Sequence, residues 1–357
     1  MIAAYQHLWK VMLDFIAPFL FSFVLVVLLS PVMIFLARKY NVLDYPNERK
    51  MHKEPIPRLG GLGILVAFWI VSLFCLPLTK EYWAILLGAT LIGVMGIVDD
   101  VRPLSSRIRL VGQLAAAAIV MAAGMTVSFM PKVWWGHFVS YLITFLWILG
   151  IVNAVNFFDG LDGLASGMVF IAAFFFVMLA IYLRQLDVAL VGVVTAGCAL
   201  GFLMWNSRPA KIYLGDGGST LLGFLIACLA LYGGWSNDGF IVAMGVPTII
   251  LGVLIFDMIY ITLARIKGGQ VRSFQQWLDY TGKDHFHHRL ISLGFNEVSA
   301  VWFIYLVSFG LGLNVLVLER LRNPLPIVVQ FVHAILVFIM IFLLMRAGRG
   351  IVDGTKK

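Results

Sequence analysis

Long apolar runs separated by short polar segments fill this chain from end to end. Each run approaches the roughly 20 residues that a helix needs to cross a hydrocarbon core. The pattern predicts eleven spans near residues 14–37, 60–78, 82–98, 108–129, 138–156, 164–183, 188–205, 219–235, 240–264, 298–318 and 325–345. We therefore expect an all-α integral membrane protein, a polytopic bundle of about eleven transmembrane helices that forms one domain over residues 1–357.

The composition and the distribution of charge support this interpretation. The chain is 61% hydrophobic and 12% charged, whereas a soluble domain has roughly 25% charged residues. Most of the 26 Lys and Arg residues fall in the loops on the side of the C-terminus, which the positive-inside rule makes cytoplasmic. We assign the net charge of +8 to this topology and to attraction for anionic headgroups and substrates, with no nucleic acid as a partner.

The segment 153–167 places Asp159 and Asp162 between two long apolar runs, with no basic residue beside them. Ionisable groups at a bilayer boundary are costly and persist where they face a cavity, a partner or an ion. On a helix the two acids would share one face, and in a loop they could still converge. The alternative is that one of them only caps the following helix.

Two more acidic segments lie on the same side of the predicted bundle. The third span ends in Asp99 and Asp100, which oppose the helix dipole; either the arginines within 102–109 or a divalent cation would compensate them. Asp216 precedes two glycines and a helix, which is typical of an anion or metal corner, or of a simple N-cap. Five carboxylates at one face would repel an anionic phosphate unless a cation offset their charge.

Two basic loops complete this face. In the first, Lys53 or Arg58 could hold a phosphate against the amides of Gly60 and Gly61, although a solvated loop before a helix explains the same residues. The longest loop, about 265–297, carries three clustered histidines at positions 285, 287 and 288. Zinc binding is disfavoured because no cysteine lies nearby, and imidazoles beside basic residues fit phosphate oxygens better.

One acid lies inside an apolar run. Asp257, within the ninth predicted span, needs an internal partner or a functional role. Oxygen ligands such as the acids of this chain suit Mg²⁺ or Mn²⁺, which bind one or two carboxylates together with substrate phosphates. The apolar surroundings indicate that a second substrate comes from the lipid.

In this order, the motifs resemble those of the polyprenyl-phosphate N-acetylhexosamine-1-phosphate transferase family. They are Pro57-Arg-Leu-Gly-Gly61, Asp99-Asp100, Asn153-x-x-Asn156-x-x-Asp159-Gly-Leu-Asp162-Gly, Gly215-Asp216-x-Gly-Ser219 and His285-x-His287-His288. The histidine spacing and the eleven spans are similar to the WecA/TagO branch, which transfers GlcNAc-1-phosphate from UDP-GlcNAc to undecaprenyl phosphate. The MraY branch, which uses UDP-MurNAc-pentapeptide and has three consecutive histidines, is the alternative. A transporter is less favoured because the polar residues gather at one face and no repeat is evident.

The resemblance implies roles for individual residues. The implied catalytic residues are Asp99, Asp100, Asp159, Asp162 and His285. The implied metal ligands are Asp216, Asp99 and Asp100. The implied substrate-binding residues are Lys53, Asn156, Gly160, Leu161, Lys211, Arg265, Arg272, His287 and His288.

The same resemblance implies an Mg²⁺-dependent enzyme, with Mn²⁺ as a second option, at the cytoplasmic face of a bacterial inner membrane, with the N-terminus outside. Its partners would be UDP-GlcNAc, undecaprenyl phosphate and the lipid bilayer, and a homodimer is compatible with this. A lipid phosphate oxygen would attack the phosphorus next to the sugar, and UMP would leave. Because a phosphate monoester has a second pKa of about 6, this nucleophile needs no strong general base at neutral pH.

Overall fold

The computed structural model describes residues 2–46, 54–77, 79–127, 130–131, 133–235, 240–279, 282, 284–318 and 324–354. These residues form helices and one short antiparallel pair of strands. The elements are α1 (Ile2–Lys39), β1 (Leu43–Asp44), β2 (Ile56–Pro57), α2 (Gly60–Cys75), α3 (Lys80–Val101), α4 (Ser106–Ala122), α5 (Trp134–Phe158), α6 (Leu164–Tyr182), α7 (Leu186–Asn206), α8 (Gly215–Tyr232), α9 (Phe240–Ile250), α10 (Gly252–Lys267), α11 (Phe274–Asp279), α12 (Phe286–Ser292), α13 (Glu297–Leu318) and α14 (Pro324–Gly354).

The helices confirm a polytopic membrane protein. Within the described ranges, seven helices are long and apolar enough to cross a membrane, namely α1, α3, α5, α6, α7, α8 and α13. The bent pair α9 and α10 would make an eighth span. The segments predicted at 60–78, 108–129 and 325–345 contain α2, α4 and α14, which fall short of that length or hydropathy, so the count of eleven stays a prediction.

The segment predicted as a span over 240–264 contains a sharp bend. The chain forms two helices there, α9 and α10, which meet at 81°. Pro247 lies in the last part of α9, and the Cβ of any residue replacing Gly252 would crowd the Phe338 ring. Proline and glycine are common causes of sharp helix bends, because one lacks an amide donor and the other allows close packing. The bend sets the direction of α10, which carries Asp257.

Helix α8 forms the centre of the bundle. It packs against α2, α3, α5, α6 and α7, and nearly all of its residues are buried. Glycines allow the close approach: Gly88 of α3 lies against the Phe224 ring, and Gly223 lies against the backbone of Val152 on α5. Small residues at such contacts let membrane helices gain dispersion energy from tight packing. The first turn of α8 is therefore held on a rigid element.

The segment after the strand pair packs closely against the start of α8. The Gly60 amide donates to the Tyr213 carbonyl at 3.1 Å. A Cβ at Gly61 would collide with the backbone nitrogen of Gly218, so only glycine permits this approach. Because Arg58 immediately precedes these contacts, its guanidinium is delivered to the first turn of α8.

Candidate active site

The structure brings the separate acidic motifs together. Asp99 and Asp100 end α3, Asp159 and Asp162 follow α5, and Asp216 lies in the first turn of α8. We call these five carboxylates, with Arg58, the acid corner. The charges of Asp100, Asp159 and Asp216 influence one another, so the convergence expected from the sequence is observed.

Asp100 acts as a cap for α8. Its Oδ1 accepts the Asp216 amide at 2.8 Å, and its Oδ2 accepts the Gly217 amide at 3.0 Å. The Arg58 Nη2 lies 3.0 Å from Oδ1, and the side chain of Asp100 is only 1% exposed. A carboxylate at a helix N-terminus is stabilised by the amide dipoles. Asp100 therefore contacts the amides of α8 and Arg58, whereas the sequence had offered either the arginines within 102–109 or a divalent cation as compensation.

Arg58 joins several of these acids. Its Nη2 lies 3.5 Å from Asp216 Oδ2, and its Nη1 lies 3.7 Å from Asp44 Oδ1. Burial opposes the charged form, but Asp100, Asp216, Asp44 and Asp159 outweigh it and raise the pKa of Arg58. The sequence analysis named Arg58 as one of two candidate cations for a phosphate, but it predicted no contact between Arg58 and the acids. The signal that could have indicated this contact is its place two residues before the first of the paired glycines at 60 and 61.

Asp99 differs from its neighbour. Its Oδ1 accepts the Leu104 amide at 2.5 Å, while its buried Oδ2 has no hydrogen bond in the described part of the chain. The Arg109 Nη1 approaches Oδ2 to 3.6 Å, which is an ion pair but too long for a good hydrogen bond. Asp99 lines a cavity of about 40 Å³ whose other polar lining residues are Ser106, Arg109, Gln113, Asn153, Asn156, Asp216 and Thr220.

The segment 159–163 is a loop between α5 and α6. Gly163 is the N-cap of α6 and has a φ of 80°, so the idea that Asp159 or Asp162 caps this helix is wrong. Asp162 Oδ2 instead accepts the Ala210 amide at 3.1 Å, and the Gly163 amide donates to Asn206 Oδ1 at 3.1 Å. These bonds tie the loop to the segment that leads into α8.

Asp159 lies in this loop close to Arg58 and to three other acids. Burial raises the pKa of Asp159 to about 7; Arg58 lowers it, and Asp216, Asp100 and Asp162 raise it further. Burial is therefore the main reason that this carboxyl group holds its proton to a higher pH than an exposed one, and the neighbouring carboxylates add to the effect.

The histidine segment, 284–289, docks on α10. His285 Nδ1 lies 2.7 Å from Asp257 Oδ2, which gives Asp257 the internal partner that the sequence required. Arg265 is 2% exposed and donates to both oxygens of Asp284, at 2.9 and 2.7 Å. Burial would raise the pKa of Asp284, but the hydrogen bonds and charge of Arg265 outweigh it and lower the pKa.

His287 links the two clusters. Both of its ring nitrogens are buried without a hydrogen bond among the described residues. A Cβ at Gly160 would collide with Nε2, so the ring lies directly against the loop 159–163. Burial lowers the pKa of His287 well below its usual value, and His288 and His285 lower it further. A neutral imidazole with two unused nitrogens therefore faces the loop that carries Asp159 and Asp162.

The other predicted residues are distributed unevenly. Asn156 Oδ1 accepts the Ser219 hydroxyl at 2.5 Å beside the acid corner, and Leu161 is buried in the loop. Lys211 places its Nζ 5.1 Å from the centre of the Trp205 ring. Arg272 is exposed and lines a separate cavity of about 680 Å³ beside α5 and α10. Lys53 lies outside the described residues.

The acid corner offers oxygen ligands for a divalent cation, although no group of three or more His, Cys, Asp or Glu within the described ranges is arranged as a metal cage. Asp99 lines the small cavity and has a buried Oδ2 without a hydrogen bond among the described residues, and the side chain of Asp216 is 28% exposed. Mg²⁺ is usually bound by one or two protein carboxylates together with substrate phosphates. Asp99 and Asp216 fit such an ion, whereas both Asp100 oxygens already accept α8 amides.

Known proteins show where this arrangement belongs. The family model described as glycosyl transferase family 4 matches residues 82–234, which include the acid corner except Arg58. A probable undecaprenyl-phosphate N-acetylglucosaminyl 1-phosphate transferase of Bacillus subtilis is 32% identical over 328 residues, covering 90% of this chain and 89% of that protein.

Two further relatives represent different activities. A decaprenyl-phosphate N-acetylglucosaminephosphotransferase of Mycobacterium leprae is 33% identical over 315 residues, covering 77% of each chain. A phospho-N-acetylmuramoyl-pentapeptide-transferase of Geobacillus kaustophilus is 33% identical over 322 residues, covering 82% of this chain and 92% of its own. Since these similarities extend across most of the chain and include the acidic motifs, the protein belongs to glycosyl transferase family 4.

Proposed function

We propose that the protein transfers N-acetylglucosamine-1-phosphate from UDP-GlcNAc to undecaprenyl phosphate and releases UMP, as the first membrane step of a cell-envelope polysaccharide pathway. The observation that carries the proposal is the acid corner in a helical membrane bundle, where Asp99 lines a small cavity and keeps a carboxylate oxygen without a hydrogen bond among the described residues. The Bacillus subtilis and Mycobacterium leprae relatives bear names for reactions of this class.

The charges of the site suggest how the reaction proceeds. A lipid phosphate oxygen attacks the phosphorus next to the sugar, the bond from that phosphorus to UMP breaks, and UMP carries away the electron pair. A divalent cation, Mg²⁺ or alternatively Mn²⁺, held by Asp99 and Asp216, would offset the charge of the phosphates. Positioning and charge stabilisation are the main tasks of a protein in phosphoryl transfer.

The protein's own residues divide the work. Asp100 fixes the first turn of α8 and thereby the position of Asp216. Arg58 supplies positive charge from the opposite side of the acids. Asp159 and Asp162 shape the nucleotide side of the site, and the neutral His287 lies against their loop with both ring nitrogens buried and without a hydrogen bond among the described residues.

The remaining roles follow the family resemblance. Asn156, Gly160, Leu161, Lys53 and Lys211 serve the nucleotide. Arg265, Arg272, His285 and His288 serve the diphosphate or the sugar. Arg265 does so from within its ion pair with Asp284.

For the topology we keep the prediction made from the sequence. The chain forms one catalytic domain over residues 1–357 in a bacterial inner membrane. It has eleven spans, with the N-terminus outside and the site at the cytoplasmic face. The basic residues on that side support it. The broken pair α9 and α10 then counts as one span that turns sharply inside the bundle.

A second candidate function is the phospho-MurNAc-pentapeptide transferase reaction. The Geobacillus kaustophilus relative, similar over 82% of this chain, favours it. Phe286 interrupts the histidines and is fully buried, which supports the GlcNAc donor in this comparison of branches. No loop among the described residues offers an evident feature for a peptide.

The test is competition among UDP-GlcNAc, UDP-GalNAc and UDP-MurNAc-pentapeptide with purified protein, undecaprenyl phosphate and Mg²⁺. We expect UMP release to favour UDP-GlcNAc in kcat/KM. One lost hydrogen bond costs about 1–3 kcal/mol, so the preference over UDP-GalNAc should be roughly 5- to 150-fold. Preference for the pentapeptide donor would support the second candidate, and no UMP release from any donor would contradict both.

A further inference from the structure

Asp257 is a buried acid for which the proposed reaction has no use. Its side chain on α10 is 1% exposed, and both oxygens reach the start of α12. Oδ2 lies 2.7 Å from His285 Nδ1, and Oδ1 accepts the Phe286 amide at 2.7 Å. An acid inside a membrane bundle persists where a partner offsets its cost, and here that partner is the histidine segment.

The contacts of Asp257 decide which nitrogen of His285 carries the hydrogen. An ionised carboxylate can only accept, so Nδ1 must donate to it. In the neutral ring Nε2 is then the acceptor, and it faces the Arg265 Nη2 at 3.4 Å. Arg265 is itself fixed by its paired bonds to Asp284. An anion on one side of the ring and a cation on the other therefore favour the same tautomer.

The oriented ring lies next to the acid corner. The His285 ring packs 5.3 Å from that of Phe157, close to where α5 leads into Asp159. It also lies 6.0 Å from the His287 ring and nearly parallel to it, at 8°. A change in the tautomer or tilt of His285 would therefore alter the surface that faces the loop 159–163.

We propose that Asp257 is a positioning residue for the transfer reaction. It holds His285 in the Nδ1–H tautomer, leaves Nε2 as the unprotonated nitrogen, and anchors the first turn of α12 to α10. Partners of this kind, which fix the tautomer of a working histidine, commonly change activity by about 10- to 100-fold when they are removed. The inference rests on the proposed function, because it needs His285 to act in the reaction.

A double-mutant cycle tests it. Asn at position 257 has one acceptor instead of two, so either the Phe286 amide or His285 Nδ1–H loses its partner. We expect Asp257→Asn to lower kcat by about 10- to 100-fold while the KM for UDP-GlcNAc changes little. His285→Asn should have at least as large an effect, and the double variant should be no slower than His285→Asn alone. Losses that multiply would overturn the proposal, because independent sites add in free energy.

A matched control removes a buried polar group elsewhere. Thr195 on α7 is buried and donates only to the Val191 carbonyl of its own helix, at 2.8 Å. Thr195→Val should keep wild-type kcat, so that a loss in Asp257→Asn cannot be ascribed to any change in a buried polar side chain. An equal loss in both variants would count against a positioning role.

A second measurement needs no variant at position 257. In wild-type protein labelled with ¹⁵N-histidine, the His285 signals can be identified by their loss in His285→Asn. We expect a protonated Nδ1 and an unprotonated Nε2, and an Nε2–H tautomer would overturn the proposal even if Asp257→Asn fails to fold. Wild-type protein that releases no UMP would instead contradict the proposed function, and the NMR result would be unaffected.

Discussion

The acid corner and the histidine segment handle charge in opposite ways. In the acid corner, Arg58 is shared among Asp100, Asp216 and Asp44, and the burial of Asp159 raises its pKa to about 7. At the histidine segment each acid has its own close partner: Arg265 bonds to Asp284, and Asp257 bonds to His285. In the first cluster several acids therefore share one arginine, whereas in the second the acids are paired individually.

The difference separates two kinds of site. Buried charges that are fully paired fix a structure, and removing one partner is costly because the other remains uncompensated. A cluster with excess carboxylates is a poor structural element and becomes favourable only when a cation or substrate joins it. We infer that the acid corner is built to receive a cation and phosphates, and that the histidine segment presents its side chains to them in a preformed arrangement.

The largest expected effect comes from the acid corner. Asp216→Asn and Asp99→Asn should each lower kcat by at least about 100-fold, as expected when a group that stabilises developing charge is removed. Both variants should still fold, since removing a repelling carboxylate does not harm the substrate-free site. Turnover near wild type at saturating Mg²⁺ would show that the residue is not a ligand.

Asp100→Asn is the contrasting variant. The amide group of Asn would turn a donor toward an α8 amide that now donates to Asp100. We therefore expect a loss of both activity and thermal stability, unlike the Asp216→Asn result. Unchanged stability would show that Asp100 does not hold the first turn of α8.

We expect a smaller effect, on stability, when either Arg265 or Arg58 is replaced. Arg265→Gln should destabilise the protein by about 1.5–3 kcal/mol, because it removes the two charge-assisted hydrogen bonds that the buried Arg265 donates to Asp284. Arg58→Gln should cost less, because the side chain of Arg58 is 32% exposed and water screens part of its charge. Thermal unfolding in detergent measures both.

Mg²⁺ makes this comparison decisive. If the acid corner binds a cation, Mg²⁺ should reduce the difference in unfolding temperature between Arg58→Gln and wild type. The difference between Arg265→Gln and wild type should be the same with and without Mg²⁺. An equal response of the two variants would remove the distinction between the clusters.

The smallest expected effect is a pH dependence of stability without metal. The pKa of Asp159 is raised to about 7 in the folded protein, against about 3.9 for an unperturbed Asp. The folded state then holds the proton more tightly, so the stability from this group is complete below about pH 4 and is lost as the pH rises through about 7. In EDTA the unfolding temperature should fall by a few degrees between about pH 5.5 and 8.

The control for this effect is Asp159→Asn, whose side chain does not titrate. Its unfolding temperature should depend less on pH over the same range. An identical slope in the variant and the wild type would assign the titration to another group.

Much of the fold could be predicted from the sequence, because the position of a membrane span depends on the hydropathy of its own residues. A run of apolar residues such as 164–183 must be helical in lipid to satisfy its amides, so its position could be predicted from its composition. The break between α9 and α10 was missed, because Pro247 and Gly252 permit a bend without requiring one. Whether a bend forms depends on the helices packed around it.

For the site, too, one part could be predicted from the sequence and another depended on the tertiary structure. The sequence by itself determined that acids and histidines would gather at one face, since their cost in an apolar chain requires a function or a partner. Only the tertiary structure decided which acid does what. Asp99 and Asp100 are neighbours in the sequence, yet successive side chains on a helix point about 100° apart. One therefore reaches an open cavity, while the other meets the amides of α8 and Arg58.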